Sequence, residues 1–219
     1  KIILGLREGA TENARLATDL LVELRDRGLT ITEKTLFVTD GAKGLRKAVK
    51  DVYGDLAVIQ RCIEHKKRNV LDYLPEQWKE IARRKLTATY EMTSYDDAKS
   101  ALFDVIEWLE DLSESPAARS MREGLEETLT VHRLGVTGPL RRTLQTTNPL
   151  ESIFATVREK TARVKHWRIG RMAMRWCGSA LMMIEPRLRR VKGYRDLAQL
   201  RRRLAAFKED APLCQTDVA

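Results

Sequence analysis

Three short apolar runs near the start of the chain, KIILGL, TLFVTD and AVIQRC, are each followed by a helical pattern. This order constrains the fold more than any other feature. Parallel strands cannot be joined by a tight turn and need a long crossover, which a helix supplies. Strand, helix, strand, helix, strand, helix therefore predicts an α/β layer with parallel neighbours. In TENARLATDLLVELRDRG, residues Ala14, Ala17, Leu20, Leu21 and Leu24 share one helical face. Thr11 is placed to cap that helix and Gly28 to end it. The next helices are read in AKGLRKAVKDVY and EHKKRNVLDYL.

The pattern changes after Pro75. Trp78, Ile81, Ala82 and Leu86 share a face, and so do Ala98, Leu102, Val105, Ile106 and Leu109 behind a Ser94 cap. A further helix is expected near Met121 to Leu129. Strand-like alternation is missing from this stretch, so residues 75–132 read as an all-helical unit. VTGPLRRTLQTTNP reads as loop, a long helix starts near Pro149, and an Arg-rich helical tail runs from about Arg168 to Lys208 with a break at Pro186. Met172, Trp176, Ala180 and Met183 form a helical stripe that reads as core.

At 219 residues and 43% hydrophobic content the chain has enough apolar side chains for a sizeable core. No apolar run approaches the ~20 residues that a membrane-spanning helix requires. Three Cys make no disulfide framework, which points to a reducing, cytoplasmic setting. The start, KIILGLREG, lacks Met and a signal-peptide pattern and reads as a piece of something longer. Charge is uneven. Arg158 to Arg203 holds 15 Lys and Arg against 3 Asp and Glu, whereas Glu76 to Glu127 holds 7 against 13. A basic block beside an acidic one is a directed face, and phosphate backbone is the commonest polyanion for it; a solvated Arg-rich helix is the alternative.

Functional groups in open α/β sheets gather at the carboxyl ends of strands. Asp40, at the end of TLFVTD, stands there. Asp-Gly is also ordinary turn chemistry, so Asp40 is either a turn residue or a ligand. Glu151 follows Asn148-Pro149 at a helix start, where it is either a capping-box Glu or a carboxylate leading a face that continues through Ala155, Arg158, Ala162 and Lys165. The opposite side, Leu150, Phe154 and Val157, is suited to packing on a sheet. Cys62 and His65 are spaced i, i+3 around a strand end. Zinc normally takes four ligands, and Cys177, Cys214, His132 and His166 offer no close pair to complete a set. Cys62 therefore reads as a small buried residue and His65 as a ring held by local hydrogen bonds. There is no phosphate-cradling Gly-rich loop, no Ser-centred elbow and no His-Glu-x-x-His.

The order and spacing of VTDGAKGL, QRCIEHKKRNV, a helical stretch and TTNPLESIFATVREKTARVKHWR resemble the mutator-type transposases of bacterial insertion sequences. The resemblance runs from KIILGL to about Trp176. It implies an RNase H-like core with a large all-helical insertion and a basic helical C-terminal tail. Residues 1–74 would be the first part of the core, 75–132 the insertion, 133–168 the completion of the core with the Glu151 helix, and 169–219 the tail. It implies an Asp-Asp-Glu triad in which Asp40 is the second Asp and Glu151 the third carboxylate, both catalytic and both metal ligands. Two magnesium (or manganese) ions are expected in the complete enzyme, with Cys62 and His65 shaping the site. Arg158, Lys160, Arg163, Lys165, Trp167 and Arg168 would contact DNA, with a core-packing role as the alternative for Trp167. The first Asp of the triad belongs on a strand upstream of KIILGL, so the resemblance implies a chain that is nearly inactive alone. Partners would be element ends and target DNA, handled by a homodimer or larger assembly, nucleoid-associated and without membrane contact. A truncated DNA-binding regulator of transposition and another RNase H-like nuclease are the competing readings.

Overall fold

A computed structural model of the chain describes residues 1–9, 14–164, 166–167 and 169–208. Thr11 and Cys214 lie outside these residues, as do Lys165 and Arg168. After α1 (Ala14–Asp26), strand β1 (Thr35–Thr39) leads through α2 (Lys43–Tyr53) into strand β2 (Ala57–Arg61). The strands pair in parallel, from Thr35 opposite Ala57 to Thr39 opposite Arg61.

Alternation along the strands sends side chains to two faces. Phe37, Ala57 and Ile59 meet Leu45, Val49 and Tyr53 of α2 and Leu21 of α1, with the Phe37 and Tyr53 rings stacked 5.2 Å apart. Leu36 and Val58 turn the other way, onto Val131, Leu140, Leu200 and Leu204. Both faces are thus covered, as parallel strands require. The second face draws on three helices: α8 (Thr130–Arg133), α9 (Gly138–Leu144) and α12 (Leu197–Ala206). The basic tail is therefore more than a solvated helix, because α12 closes one side of the core.

KIILGL does not form the expected strand. Its backbone groups bond to side chains instead: Ile3 N–H donates to Glu185 Oε1 at 2.8 Å, and Arg27 donates to the Leu4 carbonyl at 3.3 Å. Ile3 and Leu6 pack beside Val157, Ala180, Leu181 and Ile184, while Ile2 is 78% exposed. With these partners the run has no ladder to join.

Beyond β2 come α3 (Ile63–Leu71), α4 (Glu76–Glu91), α5 (Tyr95–Asp111), α6 (Ser115–Arg122) and α7 (Leu125–Thr128). They share one apolar core through Val70, Leu86, Leu102, Ile106, Leu109, Met121 and Leu129. Ser94 caps α5, its Oγ accepting from Asp97 N–H at 3.3 Å. Ile81 is exposed, and Trp78 meets Trp108 edge to face. The helix expected from Met121 to Leu129 is broken at Gly124, whose φ of 64° ends one helix and starts the next. The stretch read as loop contains α9, with Pro139 in its first turn. Arg141 anchors α9 by donating to the carbonyls of Met92 and Glu91 at the end of α4.

The helical unit is bonded to β2 by side chains. Gln60 is wholly buried; its amide donates to the Thr128 carbonyl at 2.8 Å, and its Oε1 accepts from Val131 N–H at 2.8 Å. Thr130 Oγ1 donates to the Ile59 carbonyl at 2.6 Å. Lys66 is also wholly buried, and its ammonium donates to the carbonyls of Ser120 and Glu123 around the end of α6. Burial first, and the charge of Arg61 second, push the Lys66 pKa down to about 7.

Helices α10 (Asn148–Thr161) and α11 (Gly170–Ile184) pack on each other through Val157, Ala180, Leu181 and Ile184. Of the stripe Met172, Trp176, Ala180, Met183, Ala180 is in the core as expected, whereas Trp176 is 46% and Met183 59% exposed. The small residues Cys177 and Ala180 let the helices approach, which rotates the buried face onto Leu181 and Ile184. Leu150 and Phe154 are exposed and do not pack on the sheet, whereas Val157 of the same helix is buried against α11. The expected break at Pro186 is a short 3-10 turn, Glu185–Arg187. Among the described residues no helix is long and apolar enough to cross a membrane.

Two outcomes follow. Leu204→Ala should cost about 2–5 kcal/mol in urea unfolding, as deletion of a core Leu does, whereas Met183→Ala should stay within about 0.5 kcal/mol. An equal, small effect at both sites would refute the placement of α12 in the core. For Lys66, the unfolded side chain keeps its proton up to the ordinary 10.5, while the folded one loses it near 7. The unfolded chain then binds more protons between these values, so stability should rise with pH across that window. Lys66→Met should flatten the rise in denaturation midpoints measured at intervals over that window; an unchanged slope would contradict it.

Candidate active site

The carboxyl ends of β1 and β2 carry the residues of interest. Asp40 directly follows β1, and Cys62 directly follows β2. The ladder register sets these two positions side by side, and Cys62 N–H donates to the Thr39 carbonyl at 2.7 Å. Asp40 is half-buried. Its Oδ1 accepts from Ala42 N–H at 2.9 Å, which makes the turn leading into α2, and no described residue donates to Oδ2. Asp40 is thus a turn residue with one carboxylate oxygen to spare.

Gly41, at φ 99°, serves a second purpose: a β-carbon there would stand 2.2 Å from Arg61 Nε. Only glycine leaves that passage open. Arg61 is buried in it, donates to the Glu123 carbonyl at 3.0 Å, and has no described partner for Nε. Burial works to raise the Glu123 carboxyl, but the hydrogen bond from Lys43 first, and then the charges of Arg61, Lys43 and Lys66, hold it below the usual carboxylate range.

Glu151 lies in the first turn of α10. It does not make the capping-box bond to backbone. Its Oε1 accepts from Thr147 Oγ1 at 2.9 Å. Thr147 is buried just before the helix and ties three groups together. Its N–H donates to Cys62 Sγ at 3.3 Å, its Oγ1 lies 3.4 Å from that sulfur, and its Oγ1 lies 3.3 Å from His65 Nδ1. His65 Nδ1 is itself 3.7 Å from Glu151 Oε1. Cys62 is fully buried, at the start of α3, and His65 is half-buried in the first turn of that helix. The start of α3 is fixed by the Gln145 carbonyl, which accepts from Ile63 N–H at 3.0 Å.

Ligand atoms of Cys62, His65 and Glu151 lie within 4.8 Å of one another, the one such group of three or more among the described residues. Asp40 is not a member. His132, a spare ligand in the sequence, is buried against Gln145 and belongs to no such group. Burial, and then the Arg141 charge, lower its pKa.

Along α10, Ala155, Arg158 and Ala162 continue from Glu151 and are exposed. Lys160 is half-buried and Arg163 exposed. Trp167 is 43% exposed, so it does not take the core role left open for it. Sequence reasoning missed Thr147 and Arg61. The Thr of Thr-x-x-x-Glu was visible as a hydroxyl before a helix, but its partners Cys62 and His65 lie more than eighty positions away.

The model of the family described as "Transposase, Mutator family" matches residues 1–186. The chain is 32% identical over 167 residues to the transposase for insertion sequence element IS6120 of Mycolicibacterium smegmatis, which is 75% of this chain and 49% of that protein. It is 33% identical over 165 residues to the transposase for insertion sequence element ISRM5 of Rhizobium meliloti, covering 74% and 39%. It is 30% identical over 168 residues to the transposase for insertion sequence element IST2 of Acidithiobacillus ferrooxidans, covering 76% and 54%. The chain thus spans about half or less of the length of these relatives.

Proposed function

This chain belongs to the Mutator family of transposases, and from that premise we propose that it is catalytic machinery for cutting and joining insertion-sequence DNA, with Asp40 and Glu151 as its metal-binding carboxylates. The observation that carries the reading is geometric. Asp40 stands beside Cys62 at the strand ends, and Cys62 is within ligand reach of Glu151. Cys62 is thus a neighbour of both carboxylates, of Asp40 across the strand ends and of Glu151 through the Thr147 cluster, which supports the reading.

The donor set fits a hard divalent ion. Asp40 Oδ2 and Glu151 Oε2 have no donor among the described residues, and each carboxylate is steadied through its other oxygen. Oxygen ligands with spare negative charge suit magnesium or manganese. Such ions, when bound, supply activation of the attacking oxygen and neutralisation of charge on the leaving one. The chain's own residues do the rest. The Ala42 N–H and the Thr147 hydroxyl orient the carboxylates. Arg158, Lys160 and Arg163 follow Glu151 and would hold DNA phosphates next to the bond being cut, with Lys165 and Arg168 continuing the run in sequence. Trp167 is free to stack on a base. We read the two-stranded layer as part of an RNase H-like core and α4–α8 as its helical insertion. The active assembly would be a dimer or larger, since two element ends must meet.

In the longer transposase that the resemblance implies, with its upstream strand present, Asp40→Asn and Glu151→Gln should each reduce magnesium-dependent cleavage and joining of element-end DNA by at least about 10³-fold, the scale on which one member of a catalytic group matters. DNA binding should be unchanged. Retained cleavage in either variant would sink the assignment. Binding should weaken steeply with salt, and Arg158→Ala should lower the slope of log affinity against log salt by about 0.9, one phosphate contact. A slope near zero in the unmodified protein would rule out the phosphate track.

A further inference from the structure

Thr147 has more neighbours than its single hydroxyl proton can serve. Its Oγ1 lies 2.9 Å from Glu151 Oε1, 3.3 Å from His65 Nδ1 and 3.4 Å from Cys62 Sγ. Charge and distance decide where the proton goes. A carboxylate is the strongest acceptor of the three and also the closest, so the hydroxyl donates to Glu151. Its lone pairs are then what the other two groups meet. His65 Nδ1 cannot face them as a bare acceptor and must carry a hydrogen. The Cys62 sulfur is served separately, by the Thr147 N–H at 3.3 Å.

We propose that Thr147 is a positioning residue that fixes the Glu151 carboxylate and locks His65 with its proton on Nδ1. The chain of donation runs His65 Nδ1–H to Thr147 Oγ1, and Thr147 Oγ1–H to Glu151 Oε1. The proposal has two consequences. Glu151 Oε1 is committed, which leaves Oε2 as the oxygen offered outward. In the Nδ1–H tautomer the lone pair is on Nε2, so that open nitrogen is an acceptor rather than a donor. The imidazole tautomer is set by the hydrogen bond its other nitrogen makes. The role assigned to Oε2 rests on the reading of Glu151 given above; the tautomer does not.

The same cluster bears on metal selectivity. Thiol, imidazole and carboxylate in reach of each other would favour zinc over magnesium on affinity alone. The hydrogen bonds just described occupy those groups with protons: Nδ1 is capped by its own hydrogen, and the thiol sulfur accepts from backbone. A thiophilic ion could take Cys62 as a ligand only by displacing the hydrogen bonds that its sulfur makes to Thr147, and His65 through Nδ1 only by displacing the hydrogen there.

Nitrogen-15 NMR of the whole chain at about pH 8, where a free imidazole is neutral, reads the tautomer directly. Nδ1–H is expected for His65 in the unmodified protein, and Nε2–H on Nε2 alone would overturn the proposal without any variant. Thr147→Val should release His65 toward the Nε2–H form, and Thr147→Ser should retain Nδ1–H. Cobalt(II) added to the unmodified protein should give no thiolate-to-metal charge-transfer band; a band abolished by Cys62→Ser would show a metal site in place of the hydrogen-bonded cluster and refute the proposal. In DNA cleavage, Thr147→Val should lose about 10–100-fold, the usual cost of removing a group that orients a ligand, with Thr147→Ser within a few-fold of the original. If Thr147→Val cleaves normally while the tautomer changes as stated, the hydroxyl orients His65 but not Glu151, and the positioning claim fails. If the longer transposase used for the cleavage assay does not cleave even unmodified, the functional reading is what fails, and the NMR result still decides the hydrogen-bond assignment.

Discussion

The parallel pairing of β1 with β2 is the constraint on which the remaining structure depends. Its register sets Asp40 beside Cys62, and both strands hand their last residues to the same edge. A two-stranded sheet is marginal by itself in water, so it needs cover. Helices α1 and α2 supply it on one face, and α8, α9 and α12 on the other. The outer side of β2 is closed by polar side chains rather than by a further strand: Gln60 and Thr130 satisfy backbone groups that would otherwise be buried without partners. The site is therefore built on a short, well-enclosed piece of sheet whose ends are set by helices from distant parts of the chain.

Glu151 reaches this edge by a different kind of force. Its helix shares an apolar cluster with α11 and the N-terminal run, separate from the clusters that cover the sheet. What joins the start of α10 to the strand ends is polar: Thr147 against Cys62, His65 and Glu151. A typical hydrogen bond adds only about 1 kcal/mol to stability, but leaving a buried partner unmade costs more. Such a knot contributes little to holding the fold and much to fixing direction. That division suits a carboxylate whose orientation matters more than its contribution to the core.

Features set by local chemistry were legible in the sequence. β1, β2, the crossover helix, the Ser94 cap and the Pro186 break all depend on residues within a turn of each other. Asp40 at a strand end was visible for the same reason. Features set by distant partners were not. KIILGL has strand-like residues, but its neighbours are Glu185 and Arg27. α9 is anchored by carbonyls of Met92 and Glu91, which no local pattern announces. The buried face of α11 is set by its packing on α10 through Ala180, Leu181 and Ile184, so helical spacing alone found Ala180 but put Trp176 and Met183 in the core as well. Thr147 looked like half of a helix start because its partners Cys62 and His65 come from another element.

The two buried cations behind the strand ends need a different explanation from the exposed basic helices. Burial lowers the Lys66 pKa to about 7, so desolvation outweighs the carboxylates of Glu123 and Glu127 that favour its charge. Arg61 keeps one nitrogen without a partner. Groups placed at such a cost are poor stabilisers, and a well-packed apolar residue often does better. Their value here is directional. The left-handed turn at Gly124 ends α6, and carbonyls near its end, Ser120 and Glu123, accept from Lys66 while Glu123 also accepts from Arg61. The negative end of a helix dipole is the natural place for cations. Because Arg61 is the last residue of β2 and threads past Gly41, this arrangement fixes the helical unit to the turn that holds Asp40. Side chains larger than hydrogen at position 41 would push that turn away from Arg61. The Asp-Gly pair thus answers two demands at once: the aspartate makes the turn, and the glycine admits the arginine that anchors it.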